Sequence, residues 1–317
     1  MAFAFVFAGQ GSQSVGMLAA LSAAASSVRE TFAEASQVLG YDLWQLVSAG
    51  PADELNATQR TQPAMLAAGV ATWRVWRARG GELPALVSGH SLGEFTALVC
   101  AGALDFGSAI DLVRFRGQAM QEAVPPGSGA MAAILGLEGE AVVAVCREAA
   151  RGAVVEAVNF NSPEQTVIAG DAAAVQRAIE AAKTRGAKRT VILPVSVPAH
   201  STLMRGAGER LRVRLESLTL RKPAIAYLSA VDAREHSEPA DIRELLVRQI
   251  SSPVRWTDTV RALAAAGMSQ IIECGPGKVL TGLNRRIERR PELTFAALED
   301  PESIDAALSA TSGGSHA

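Results

Sequence analysis

The chain has 317 residues, 49% hydrophobic and 20% charged, and its 30 Lys and Arg against 32 Asp and Glu give a formal net charge of −2. That balance excludes a disordered or collagen-like chain and lacks the basic field of a general nucleic-acid binder, so a charged partner has to be met by a local patch. Three scattered cysteines, Cys100, Cys146 and Cys274, offer no CxxC pair and no metal spacing, there is no HExxH, and no apolar run approaches the ~18 residues of a membrane span; no metal, no membrane and a reducing cytoplasmic setting are expected.

Phe3-Ala4-Phe5-Val6-Phe7 has no basic stretch before it and soon meets Gly9-Gln10-Gly11, which predicts a first buried strand rather than a signal peptide. Ser27-Val28-Arg29-Glu30 reads as a capping box, opening a helix with Phe32, Ala35 and Leu39 on one face and Gly40 as its stop. A longer helix is predicted after Thr61-Gln62-Pro63, ending near Gly80-Gly81. Ala85-Leu86-Val87-Ser88 is another short buried strand, running into Gly89-His90-Ser91-Leu92-Gly93, with helix again from Phe95 to Ala101. Strands alternating with helices predict an α/β fold with a mostly parallel sheet.

The texture changes at Val124-Pro125-Pro126-Gly127-Ser128-Gly129, a hinge-like stretch. Beyond it the pattern predicts strand 130–136, helix 138–150, strands 153–159 and 165–169, helix 172–185 and strand 188–193. The second of these helices has Asp171 as N-cap, a stripe of Val175, Ile179 and Ala182, and Gly186 beyond its end. The order βαββαβ is ferredoxin-like. It divides the chain into a discontinuous large domain, 1–125 and 198–317, and an inserted small subdomain, 126–197. The remainder predicts strand 224–230, helices 240–250 and 256–266, strand 269–274 and helix 277–288, with a frayed polar tail from Thr311 to Ala317.

The GxSxG sequence at 89–93 sits between a predicted strand and a predicted helix, the context that lets a sharp turn present Ser91 at the sheet's C-terminal edge. An ordinary Gly-rich strand-to-helix turn is the alternative, and Glu94 has the plain reading of an acid favoured by the helix dipole. A serine nucleophile needs a base, and there are four histidines. His90 is a turn neighbour expected to point away, His236 lies in a polar loop and is expected to be solvated, and His316 is in the tail. His200 follows the proline-bounded re-entry into the large domain, where a cleft is expected. No acid accompanies it, so a Ser–His dyad with a non-carboxylate acceptor stands beside the alternative of a satisfied core histidine.

Further stretches extend these in order along residues 3–288: Phe5-Val6-Phe7-Ala8-Gly9-Gln10-Gly11-Ser12-Gln13, Gly89-His90-Ser91-Leu92-Gly93-Glu94, Arg116-Gly117-Gln118-Ala119-Met120-Gln121, Asn159-Phe160-Asn161-Ser162-Pro163, Val195-Ser196-Val197-Pro198-Ala199-His200, Gln249 before Pro253-Val254-Arg255-Trp256, and Gly275-Pro276-Gly277-Lys278-Val279-Leu280. With them the chain resembles the malonyl-CoA:acyl carrier protein transacylases of fatty acid synthesis. The resemblance implies a hydrolase-like α/β domain with a ferredoxin-like insert, and a ping-pong transfer of malonyl from malonyl-CoA to the phosphopantetheine thiol of acyl carrier protein. Ser91 would be the nucleophile and His200 its base, with the Gln249 main-chain carbonyl on the other imidazole nitrogen. Backbone N–H groups of Gln10 and Leu92 would form the oxyanion hole. Arg116 would bind the malonyl carboxylate as a bidentate fork, and Gln62 and Met120 would line the acyl pocket. No cofactor is expected, malonyl-CoA being substrate. Ala199 stands where bacterial relatives often carry Ser, and both are small enough to admit malonyl.

Gly9-Gln10-Gly11 lacks a third glycine for GxGxxG, and Gly275-Pro276-Gly277-Lys278 lacks P-loop spacing, so both read as tight turns. Carrier proteins of this type are acidic, which makes Arg285, Arg286, Arg289 and Arg290, or Lys183, Arg185, Lys188 and Arg189, candidate docking clusters, each with the alternative of a solvated face. Competing readings are a serine thioesterase or esterase, a non-catalytic carrier-binding module, and the malonyl transferases of polyketide synthase or malonate decarboxylase systems, which the sequence hardly separates by chemistry.

Overall fold

The computed structural model describes residues 2–195 and 197–312; Met1, Ser196 and residues 313–317, with His316, lie outside the described residues. The chain opens with β1 (Phe3–Phe7), buried at every position. Helices α1 (Ala19–Ala24), α2 (Ser26–Leu39), α3 (Leu43–Ala49), α4 (Ala52–Asn56) and α5 (Thr58–Ala78) lead to β2 (Leu86–Gly89), α6 (Gly93–Cys100) and α7 (Phe106–Gln121). There follow β3 (Gly129–Leu135), α8 (Gly139–Ala150), β4 (Val155–Ser162), β5 (Gln165–Asp171), α9 (Ala172–Thr184) and β6 (Arg189–Ile192). A single 3-10 turn (Thr202–Met204) then enters α10 (Arg205–Glu216), β7 (Ala226–Ser229), β8 (Arg234–His236), α11 (Pro239–Gln249) and α12 (Trp256–Ala265). The chain finishes with β9 (Gln270–Cys274), α13 (Val279–Ile287), β10 (Thr294–Leu298) and α14 (Pro301–Ser312).

Two sheets result. The larger has the order β10-β9-β1-β2-β7-β8, parallel throughout except for β8 at one edge. Its central strands are continuous apolar runs because helices cover both faces. The smaller has the order β4-β5-β3-β6, antiparallel throughout, with the element order βαββαβ. Period-two alternation splits β3: Ala132 and Ile134 pack under α8 and α9, while Met131 and Ala133 belong to a second apolar cluster on the opposite face. That second face looks toward the C-terminal ends of β1 and β2 across a cleft, and Met131, Leu193 and Val195 line it.

β4 runs past its expected end, through Asn159-Phe160-Asn161-Ser162, with irregularities between Ala157 and Asn159 and between Phe160 and Ser162. An isolated bridge between Asn159 and Val254 joins it to the large sheet's loops, with Phe160 N donating to Val254 O at 2.9 Å. Such bulges re-aim side chains, and here they turn both asparagines toward the cleft side.

Several local expectations are corrected. The capping box is absent: α2 starts at Ser26 with Ala25 as cap, so Ser27 already lies inside the first turn and its hydroxyl caps nothing. α5 begins at Thr58, before Thr61, and accommodates Pro63 in its second turn. Asp171 is the N-cap residue of α9 as expected, but its side chain makes no cap hydrogen bond; the carboxylate accepts from Val154 N at 2.7 Å instead and ties the start of β4 to the end of β5. The tail is helical further than expected, with Thr311 buried in α14. β8 and β10 have no clear sequence pattern because they are short edge strands whose ladders come from β7 and β9, and α14 packs on β10.

Candidate active site

β2 ends at Gly89, and the next residues fold back so tightly that Ser91 takes φ 52 before α6 begins at Gly93. A non-glycine residue in the left-handed region costs about 1–2 kcal/mol, so packing must impose it. The two glycines make that packing possible. A Cβ on Gly89 would lie 1.9 Å from the Gly93 carbonyl carbon, and one on Gly93 would lie 1.9 Å from the Phe7 carbonyl oxygen. The turn thus rests directly on the end of β1. Among the described residues, the backbone N–H groups of Gln10 and Leu92 have no internal acceptor, and both residues line the cleft beside Ser91.

His200 faces Ser91 from the opposite loop, with Nε2 2.8 Å from Ser91 Oγ and Nδ1 2.7 Å from the Gln249 main-chain oxygen. A carbonyl only accepts, so Nδ1 carries the proton and Nε2 presents its lone pair to the serine. His200 also has a positive φ, 67, held by its N–H to Ile250 O at 3.0 Å. Glu156 on β4 accepts from Thr202 N at 2.7 Å and Thr202 Oγ1 at 3.0 Å, anchoring the turn just beyond it to the small sheet. Burial, reinforced by the nearby Arg116 charge, pushes the imidazole down to about 3. The neutral, proton-accepting form is therefore the resting one at neutral pH.

Arg116 projects from α7 and is only 1% exposed. Its Nη1 donates to Gln62 Oε1 at 2.9 Å, and its Nη2 to Gln249 Oε1 at 3.0 Å and Ser91 Oγ at 3.2 Å. All three acceptors are neutral, so no touching carboxylate cancels the guanidinium charge. Burial lowers it to about 10, opposed by the charge of Glu94, and it remains a cation at neutral pH. Met120, one turn further on α7, takes Gln62 Nε2 on its sulfur at 3.6 Å. Gly117 lets α7 approach α5 closely enough for these contacts, since a Cβ there would lie 2.8 Å from Gln59 Cα. The cavity enclosed by these groups is about 220 Å³.

The other two described histidines are otherwise engaged. His90 points away from Ser91: its Nε2 pairs with Asn161 Oδ1 at 2.8 Å and its ring lies against Trp256. His236 is not the solvated loop residue expected from its polar neighbours; it sits on β8 and pairs with Asp232 at 3.1 Å. Glu94 departs further from expectation. It is fully buried, and its carboxylate accepts from Tyr227 OH at 2.5 Å and Ala230 N at 2.7 Å. Burial raises it to about 7. Its place directly after GxSxG was the only signal available in the sequence. The Gln249 side chain was missed as well, only its carbonyl having been singled out.

Glu273, buried at the end of β9, accepts from Leu280 N at 3.1 Å and Thr281 N at 2.7 Å and so caps α13. On that helix Arg285 and Arg286 are exposed, donating to Phe295 O at 3.2 Å and Gln165 Oε1 at 3.3 Å. Gln165 pairs in register with Leu135, and Leu135 with Arg189, so Arg286 and Arg189 share one side of the small sheet. Lys188, Lys183 and Arg185 are tied to Glu164, Glu180 and Glu148, and Arg290 to Glu288.

Comparison with known proteins identifies the family. The family model described as an acyl transferase domain matches residues 4–294. A malonyl CoA-acyl carrier protein transacylase of Salmonella typhimurium is 54% identical over 306 residues, 96% of this chain and 98% of the relative, and one from Bacillus subtilis is 43% identical over 96% of each. Among solved structures, an acyl carrier protein S-malonyltransferase from Vibrio cholerae superposes with a TM-score of 0.94 at 54% identity, over 97% of this chain and all of that one. A malonyl-transacylase in complex with its type II PKS acyl-carrier protein superposes with a TM-score of 0.96 at 52% identity, over 98% of this chain and all of that one.

Proposed function

The chain belongs to the acyl transferase family and, within it, to the malonyl CoA-acyl carrier protein transacylases, and from that premise we propose how its site works. It transfers the malonyl group from malonyl-CoA to the thiol of acyl carrier protein. The observation that carries the mechanism is the convergence on one oxygen. Ser91 Oγ lies 2.8 Å from a neutral imidazole and 3.2 Å from a buried guanidinium with no carboxylate partner.

In the first half-reaction Ser91 Oγ attacks the thioester carbon as its proton passes to His200 Nε2. The carbonyl oxygen becomes an oxyanion, received by the N–H groups of Gln10 and Leu92. Collapse breaks the C–S bond, and the departing CoA sulfur takes the proton back from His200. In the second half-reaction the carrier's phosphopantetheine thiol gives its proton to His200 and attacks the malonyl-Ser91 ester; Ser91 regains the proton as the new thioester forms. The Gln249 carbonyl stabilises the transient imidazolium in both halves. Arg116 pairs with the malonyl carboxylate, one methylene from the reacting carbonyl, and that pairing fixes the acyl group against attack by water. No step needs a resident cofactor.

Residues 126–197 serve in this scheme as a subdomain walling one side of the cleft. Arg285 and Arg286, with Lys188 and Arg189 across the small sheet, form the basic face for the acidic carrier. A cytoplasmic setting fits the three free, buried cysteines; among the described residues no helix is long and apolar enough to cross a membrane. A polyketide-type carrier is a second reading, favoured by the solved complex at 52% identity, and side-by-side transfer to the two carrier types separates them. The ping-pong scheme is tested by rapid mixing with malonyl-CoA alone. A burst of free CoA approaching one equivalent per enzyme, before carrier is added, is expected; release that strictly requires carrier contradicts it.

A further inference from the structure

The Gln249 side chain is buried and uses both ends of its amide. Oε1 accepts from Arg116 Nη2 at 3.0 Å, and Nε2 donates to the Ser91 main-chain oxygen at 2.9 Å. The Gln249 side chain also lies near the Glu94 carboxyl. The amide has one workable orientation, because a flip would set Oε1 against the Ser91 carbonyl oxygen and Nε2 against a guanidinium. Gln249 therefore stands as a neutral group between a buried carboxyl and a buried cation, and it ties the cation to the nucleophile turn. Direct contact between Glu94 and Arg116 would cancel the charge an acyl carboxylate has to find. Held one amide apart, Glu94 still favours the charged guanidinium without occupying its donors.

Resting on the acyl-transfer reading above, we infer that the Gln249 side-chain amide is a specificity-setting positioning group: it holds Arg116 uncancelled and in register with Ser91, so that a carboxylated acyl thioester is preferred over a neutral one. The role is separate from that of the Gln249 carbonyl, which any side-chain substitution leaves in place for His200. Removing the amide should therefore act on acyl choice and leave the base intact.

The test compares malonyl-CoA with acetyl-CoA as acyl donors for the wild type, Gln249→Met and Gln249→Glu, each checked for a native thermal transition. Methionine is close in size but removes both hydrogen bonds; glutamate is nearly isosteric and puts a carboxylate on Arg116. The ratio of malonyl to acetyl kcat/KM is expected to fall at least tenfold in Gln249→Met and further in Gln249→Glu. The pH profile of the remaining transfer should be unmoved, because the Gln249 carbonyl still holds His200. The second variant decides the matter if the first does not fold. Equal losses for both acyl groups, or an unchanged ratio, overturn the inference while leaving the transfer reading intact. A wild type with no preference for malonyl overturns both.

Discussion

Two groups of arginines lie at opposite extremes of this molecule. Arg116 is 1% exposed and held by two amide oxygens and a hydroxyl, whereas Arg285 and Arg286 are exposed on α13 and donate to a carbonyl and an amide oxygen. The residue type is the same, but the surroundings set different scales of energy. A buried, uncancelled cation gives a substrate carboxylate a partner in a low dielectric, and removing one side of such a pair costs about 2–5 kcal/mol. An exposed pair is worth about 0–1 kcal/mol and is screened by salt. The inner arginine is suited to deciding which acyl group reacts, and the outer ones to deciding how fast a carrier arrives.

The comparison presumes a competent nucleophile, so the largest effect belongs there. Ser91→Ala should lower transfer by about 10⁴-fold or more, with the fold retained by circular dichroism. Retained transfer would move the chemistry elsewhere. Next, Arg116→Ala should cost malonyl transfer about 2–5 kcal/mol in kcat/KM while sparing acetyl transfer. Parallel loss of both would erase the distinction between the inner and outer arginines. Reversing the outer pair, Arg285→Glu with Arg286→Glu, should slow association with carrier about tenfold at low salt and little at high salt, with the first half-reaction unchanged. An unchanged transfer rate at low salt would remove the docking role.

The smallest effect concerns the buried acid behind Arg116. Glu94 is raised to about 7 from the ordinary carboxylate range by burial, so the folded state binds its proton more tightly than the unfolded chain does. Stability from this group is fully present below about 4.5 and is lost as pH rises through about 7. In urea unfolding, wild type relative to Glu94→Gln should thus be more favoured at pH 5 than at pH 8. Glu273, raised to about 7 in the same way, is common to both proteins and cancels in the difference.

How much of this was legible beforehand follows from the range over which each signal acts. Ser91 announced itself because its turn is made by local glycines, and the strands of both sheets because their apolar periodicity is local. His200 was found by elimination among four histidines, and its acceptor only through family resemblance, since a main-chain carbonyl leaves no mark in a sequence. Glu94 and the Gln249 amide were out of reach for a different reason. Their meaning lies in partners over 130 residues away, brought together only when α11 and β7 pack under the nucleophile turn. An acid in the first turn of a helix reads as a dipole effect until burial and Tyr227 are seen. The basic clusters were visible as charge, but their meeting across Gln165 depends on sheet register, and the ion pairs that occupy Arg185 and Lys188 have partners over 20 residues away, Glu148 and Glu164.

Everything above turns on a malonyl ester at one residue. Incubating the enzyme with isotopically labelled malonyl-CoA, quenching in acid and mapping peptides by mass spectrometry should place a single malonyl group on the peptide containing Ser91. Adding the carrier with its phosphopantetheine thiol before the quench should remove it. An unlabelled Ser91 peptide, or a label the carrier cannot discharge, would contradict the acyl-enzyme account.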